Sequence, residues 1–184
     1  MKLLLFLVVG LFFCSCGYRL GSSSCLDTNK TIMIPYVRGD LDGTFTQELI
    51  KQVSRTTELR YVSSCADYIL CVTFVDRKED AIGYRYERTY ENQLGKRLVA
   101  SEERVTLIAK VELMDFRTKK VIAGPFCIAD SINYDFAPET SPQNDTTFSL
   151  GQLDFKPAAV DAARAPLHRS LAKKIVDYLV YASF

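Results

Sequence analysis

The sequence predicts an α+β domain in two layers, a mostly antiparallel or mixed sheet of about four to five strands with two helices packed on one face. Three observations carry that expectation. The middle of the chain, from 67 to 134, is dominated by β-branched and aromatic residues, and parts of it alternate apolar with polar. Two stretches, 44–56 and 158–182, instead repeat apolar residues at helical spacing. The order is strand, helix, strand, several antiparallel strands, long helix, and two amphipathic helices can cover one face of a single sheet.

Residues 30–36 (KTIMIPY) are a β-branched run ended by Pro35, a short strand at a sheet edge or closing at the proline. A turn at 38–43 leads into the first helix. There Thr44 with Gln47 three residues on gives a capping-box pattern, and Phe45, Leu49, Ile50 and Val53 share one face. Residues 59–63 make a short strand. The next run, 67–76 (DYILCVTFVD), is nearly continuous in strand formers, as expected of a central strand covered on both faces. Residues 81–92 (AIGYRYERTYEN) differ. Tyr84, Tyr86, Arg88 and Tyr90 point to one side, with Arg85, Glu87 and Thr89 on the other. A turn through Gly95 is expected at 94–98.

From 103 to 116 the alternation is clear: Val105, Leu107, Ala109, Val111 and Leu113 face in, while Thr106, Lys110 and Glu112 face out. A charged turn at 117–120 precedes an antiparallel return at 121–134, bent near Gly124–Pro125. Residues 135–157 lack periodicity and read as a long loop, with Phe148 and Leu150 as its contacts to the body. The final helix carries Val160, Ala163, Leu167, Leu171, Ile175, Tyr178 and Leu179 as its apolar stripe. Pro166 interrupts it, so a kink or a fresh helix start is expected there.

Ahead of the domain, Lys2 gives a positive start and 3–13 form an unbroken apolar run. That run fits the core of a secretory signal and is too short to span a bilayer as a helix. Cys14, Ser15, Cys16 and Gly17 follow. A cysteine directly after such a run resembles a bacterial lipoprotein signal, in which the thiol is acylated and the chain is cut just before it. Cys16 is the better candidate for lipid attachment, because Ser15 is small, whereas cutting before Cys14 would put Phe12 and Phe13 in the peptidase pocket. Phe13 stands where Leu is usual. An ordinary cleaved signal and an uncleaved anchor are the other readings of the same run. The chain then divides into a signal peptide at 1–15, a lipidated Gly/Ser-rich tether at 16–29 and one domain at 30–184. Acyl chains contribute about 0.8 kcal/mol per buried CH₂, so several on one residue hold a domain at a membrane without a spanning helix.

Charge and cysteines narrow the function. Lys plus Arg total 23 against 22 Asp plus Glu, and losing Lys2 leaves 22 against 22. A neutral chain argues against nucleic acid as a partner, which would demand a basic excess. Of six cysteines, Cys25, Cys65, Cys71 and Cys127 remain in the mature chain, with three possible pairings. On one extended stretch Cys65 and Cys71 would lie roughly 20 Å apart, too far for a disulfide. Cys71 and Cys127 fall in apolar strands, where buried free thiols are expected. No spacing suggests a metal site, and no cofactor is implied.

Little in the sequence points to catalysis. The single histidine, His168, lies on the last helix with no acidic or cysteine partner at a diagnostic spacing, and reads as solvated or half-buried. There is no phosphate loop after a strand, and neither a GxSxG nor an HExxH motif. Glu102 and Glu103 are adjacent, so on a strand they point to opposite faces. The pattern that stands out is aromatic and basic residues interleaved from Tyr84 to Arg97: Arg85, Arg88, Lys96 and Arg97 as ligand-binding candidates, with Arg104 following. Guanidinium forks could hold phosphates while tyrosines pack on sugar or acyl surface. The same residues also make an ordinary sheet face with Tyr–Arg cross-strand pairs.

Taken together, Cys16-Gly17-Tyr18 after the signal, the tether, KTIMIPY leading into TFTQELI, the ADYILCVTFVD strand, the ERVTLIAKVELMDFRTKKVI hairpin and a closing amphipathic helix resemble the LPS-assembly lipoprotein family (LptE). The resemblance covers essentially the whole mature chain as a pattern, with the lipidated cysteine and Gly-Tyr as its sharp motif. It implies a two-helix, four-stranded fold and a non-enzymatic outer-membrane lipoprotein. Such a protein plugs a large β-barrel translocon (LptD-like) and helps deliver lipopolysaccharide to the cell surface, its domain facing the periplasm or the barrel interior. Gly17 in place of Asp agrees with outer-membrane sorting. A helix interrupted at Pro166 and the long 135–157 loop depart from the pattern. The strand-then-helix opening also resembles periplasmic lipoproteins that serve as accessories or activators of a cell-wall synthase or a secretion complex. An enzyme acting on envelope lipid or glycan would need acidic residues gathered around a cleft.

Overall fold

The computed structural model describes residues 30–57, 59–88, 94–137 and 156–181, without the side chains of 87, 88, 94 and 181. The elements are β1 (Thr31–Met33), α1 (Thr44–Thr56), β2 (Arg60–Tyr61), β3 (Tyr68–Arg88), β4 (Leu94–Asp115), β5 (Val121–Asp135) and α2 (Lys156–Tyr181). Five strands form one sheet in the order β2-β1-β3-β4-β5. β1 runs parallel to both neighbours, while β3, β4 and β5 are antiparallel. Both helices lie on the same face, as the sequence predicts. Their apolar sides join the inward residues of the sheet in one core, from Phe45, Leu49 and Val53 of α1 to Leu171, Ile175 and Val176 of α2. The signal, the tether, Cys16, Cys25, Tyr90, Phe148 and Leu150 lie outside the described residues.

Several elements follow the pattern closely. Val105, Leu107, Ala109, Val111 and Leu113 are all buried, with Thr106, Lys110 and Glu112 on the opposite side. The return strand breaks register near Val111 and Leu113, where Gly124 takes a left-handed φ of 96°. A Cβ at Gly124 would lie 2.6 Å from the Val111 carbonyl oxygen, so only glycine fits that bend. The turn at 117–120 is held by Asp115, whose Oδ1 accepts from the Thr118 N–H at 2.6 Å.

Other expectations change. β1 is second in the sheet, because the two-residue β2 takes the edge beside it. The capping box does not form. Gly43 is the N-cap and Thr44 the first helical residue. The N–H groups of Phe45 and Thr46 are taken by the carboxylate of Asp40, at 3.4 and 2.8 Å, and that of Thr44 by Asp42 at 3.1 Å. Acidic residues upstream thus do the capping that sequence spacing assigned to Thr44 and Gln47. Residues 68–76 and 81–88 of those two runs belong to a single strand, and Gly95 lies within β4 instead of at a turn. β3 is central yet covered on one face only. Cys71 and Thr73, on the side away from the helices, are only half-buried, and Val75 is exposed. Cys127 is exposed and Cys71 half-buried, and both are free thiols, so neither is the buried residue expected.

α2 begins at Lys156, with Pro157 in its first turn, and runs on through Pro166 without a fresh start. Pro166 has no N–H to offer the carbonyl of Ala162, and both residues face solvent, where water can satisfy that oxygen. Two lysines tie the helix to the sheet. Near its start, Lys156 donates to Glu103 Oε1 at 2.8 Å; farther along, Lys174 donates to Asp130 Oδ1 at 2.6 Å. No described helix is long and apolar enough to cross a membrane.

Candidate functional site

β3 and β4 are 21 and 22 residues long, far more than the core can cover. β5 stops at Asp135, opposite Glu102, and the Phe136 N–H donates to the Ser101 carbonyl just beyond. Past that point, among the described residues, the two strands pair only with each other, from Gly83 opposite Glu102 to Arg88 opposite Leu94. At about 3.3 Å per residue the ribbon projects roughly 17 Å beyond β5, before its turn is counted. Three register shifts fall between Ala81 and Arg88, so the ribbon is irregular and strongly twisted.

Its surface mixes exposed aromatic and apolar side chains with charged ones. Tyr84 and Tyr86 are each 57% exposed and Leu98 55%. Tyr84 pairs with Ala100 and Tyr86 with Leu98, so these residues share one face. Arg85 pairs with Val99 on the other face, as alternation predicts. Lys96 and Arg97 are adjacent and exposed within the shifted stretch of β4. Consecutive residues of a strand point to opposite sides, so only one of them shares the Arg85 face. The structure therefore gathers Arg85, Lys96 and Arg97 on one slender ribbon without placing them on one surface. Arg88 sits at its far end, its side chain outside the described residues. Arg104 is lower down, donating to Asn133 Oδ1 at 2.9 Å.

The ribbon is rooted in a buried polar cluster. Glu103 and Tyr134 are both over nine-tenths buried. The Tyr134 hydroxyl donates to Glu103 Oε2 at 2.7 Å while Lys156 donates to Oε1. Burial pushes the Glu103 pKa up, but hydrogen bonds from Lys156 and Tyr134 and the ammonium charge outweigh it, and the net shift is downward. Burial together with the Glu103 carboxylate raises the Tyr134 phenol well above its usual range. Glu102, on the opposite face, takes no part, as the adjacency of the two residues predicts.

A second feature escaped sequence reasoning. A cavity of about 340 Å³ opens between the 39–42 loop, β3 around Val75 and the N-terminal half of α2. The loop is pinned to β3. Arg38 bridges to Thr73, with its N–H on the Val72 carbonyl at 3.3 Å and its carbonyl on the Phe74 N–H at 2.9 Å. Val75 is the extra residue of a bulge, since Phe74 pairs with Ala109 and Asp76 with Ile108.

His168 lines this cavity, and its reading changes. It is buried instead of solvated, wedged edge-on against Phe45 with ring centres 5.4 Å apart. Its Nδ1 lies 3.1 Å from Thr44 Oγ1, and the Thr44 hydroxyl in turn donates to Asp42 Oδ1 at 2.8 Å. Thr44 lies 124 residues upstream and Asp42 just before it, which no local motif could reveal. The three residues have the membership of a hydrolase triad but the wrong polarity. A relay needs the hydroxyl to donate to the imidazole; here it donates to the carboxylate. Among the described residues no three of His, Cys, Asp and Glu gather as metal ligands.

The fold recurs in known structures. A minor lipoprotein from Acinetobacter baumannii superposes with a TM-score of 0.51 at 11% identity, over 82% of this chain and 90% of that one. The chain is thus a two-layer α+β domain of the kind that this bacterial lipoprotein adopts. An uncharacterized lipoprotein B from Nitrosomonas europaea gives a TM-score of 0.47 at 13% identity, covering 89% and 88% of the two chains. Rare lipoprotein B from Shewanella oneidensis gives 0.43 at 11%, covering 81% and 89%. No family model and no curated protein matches the sequence.

Proposed function

We propose that this chain is an outer-membrane lipoprotein, anchored through Cys16, which seats in a β-barrel translocon and helps pass lipopolysaccharide to the cell surface without catalysing a reaction. The observation that carries the reading is the two-stranded ribbon, uncovered among the described residues, with tyrosines and Leu98 on one face and arginine on the other. A ribbon two strands wide, about 5 Å between strand axes, has two open faces. A flat ligand meets only one of them. Amphiphiles parted by the ribbon meet both, with phosphates on Arg85 and on Lys96 or Arg97, and acyl or sugar surface on Tyr84 and Tyr86. Inserted among aggregated lipopolysaccharide, the ribbon weakens contacts between neighbouring molecules. The anchor confines protein and barrel to one membrane and so raises their effective concentration.

Crosslinking in intact cells, followed by pulldown from outer membranes, tests the partner. A β-barrel recovered in stoichiometric amount supports the reading; a peptidoglycan synthase or a secretion complex in its place overturns it. Mass spectrometry of the mature N-terminus tests the anchor, since an unmodified terminus removes it.

A further inference from the structure

We propose that the cavity between the 39–42 loop, the Val75 bulge and α2 binds a small amphiphile whose short apolar chain or ring ends in a protonated amine. This site is separate from the ribbon. Its floor is apolar, with Phe74, Leu107, Val160 and Leu167 among the lining residues. Its size, about 340 Å³, lies at the small end of ligand pockets, which run from roughly 300 to 1,000 Å³.

The polar groups select the head group. An ionised Asp42 can only accept, so the Thr44 hydroxyl proton is committed to it. His168 Nδ1 must then carry the ring proton and donate to Thr44 Oγ1. That leaves Nε2 a bare acceptor with no hydrogen-bond partner among the described residues, on a ring more than nine-tenths buried that lines the cavity. Asp40, Asp42 and Asp76 line it too, against Arg77 and Arg164. Neither arginine is free for an anion. Arg164 spans Asp42 at 3.2 Å and Asp161 at 2.9 Å, and Arg77 holds Glu79 at 2.7 Å. The cavity thus offers acceptors in a net negative surround, which favours a cationic donor and repels a carboxylate or phosphate.

The walls are preformed. Gly39 and Gly43 hold left-handed φ values of 94° and 75°, and the bulge turns β3 just where the loop docks. Glycine takes these conformations without strain, so the loop and the bulge fix the hollow's rim at no backbone cost. The charged groups facing His168 are Asp40 and Asp42 from the loop, Arg77 from β3 and Arg164 from its own helix. Burial, the largest influence, takes its pKa below the ordinary value, and the two carboxylates only partly restore it. Nε2 is therefore an acceptor at neutral pH. Protonation would convert it to a donor and add a repelling charge, so amine binding weakens as pH falls through that lowered pKa.

Titrating the full-length ¹⁵N-labelled chain at pH 7 with n-hexylamine, n-hexanol and n-hexanoate tests this. Saturable shifts at Gly39, Val75 and Leu167 are expected with hexylamine, with affinity for hexanoate at least about tenfold weaker. His168→Phe keeps a ring in the slot without the acceptor, and should lower hexylamine affinity about tenfold. Val160→Trp, on a half-exposed position, fills the cavity and should abolish binding of all three probes with little change in melting temperature. Hexanoate binding as tightly as hexylamine overturns the proposal. So does the absence of saturable shifts at the lining residues with any probe, or hexylamine binding indifferent to both variants.

Discussion

The two halves of the β3–β4 hairpin are built from the same strands and obey different rules. In the lower half, Leu70 faces Leu113 and Val72 faces Val111, all buried beneath the helices and flanked by β1 and β5. In the upper half the same strands leave Tyr84, Tyr86 and Leu98 exposed, with no third strand beside them among the described residues. Apolar side chains below are explained by burial; those above are not. A protein that leaves large apolar groups on a thin, charged projection has something for them to touch. The contrast places the core in the lower half, and under the proposed function the upper half is the part that meets a ligand.

Perturbations of the two halves should therefore separate. The largest effect belongs to Leu113→Ala, which empties a fully buried site and should destabilise by about 2–5 kcal/mol, read as a fall in the chemical-denaturation midpoint. Gly124→Ala comes next. Its left-handed φ and the 2.6 Å approach to the Val111 carbonyl should cost about 1–3 kcal/mol by the same measurement.

The root of the ribbon gives a pH signature. The Glu103 pKa is lower folded than unfolded, so its contribution is fully present above the unfolded carboxylate value, about 4.3, and is lost as pH falls through the folded value. Thermal melts of the native chain should lose stability on acidification below about pH 4.3, and Glu103→Gln should flatten that slope. An unchanged slope would mean that Glu103 is not the residue linking ribbon to helix. Smallest of all, Tyr86→Ala, at an exposed side chain, should change stability by less than about 0.5 kcal/mol, and Arg85→Glu, at a half-buried one outside the core, by less than about 1 kcal/mol. A large loss from either would erase the distinction between the halves.

What could be read from the sequence tracks the range of the interactions involved. Alternation from Val105 to Leu113 and the helical repeat at 44–56 are local, and each strand face and helix boundary followed directly. The union of two runs into one long β3 was hidden by its bulges, which break the pattern at Val75 and Ile82. The open face of β3 was missed because Tyr, Ile, Cys, Val, Thr and Phe suit a half-buried strand as well as a buried one. His168, Thr44 and Asp42 meet only through tertiary packing, so no spacing announced them. Of the ribbon candidates, composition identified Arg85, Lys96 and Arg97 but not their division between faces, which the register of β4 decides.

The most direct test of the account is lipopolysaccharide binding by the lipidated chain, compared with a variant carrying Arg85→Glu, Lys96→Glu and Arg97→Glu. Binding at least about tenfold weaker, with an unchanged melting temperature, is the expected result. Equal affinity in the two proteins would contradict it.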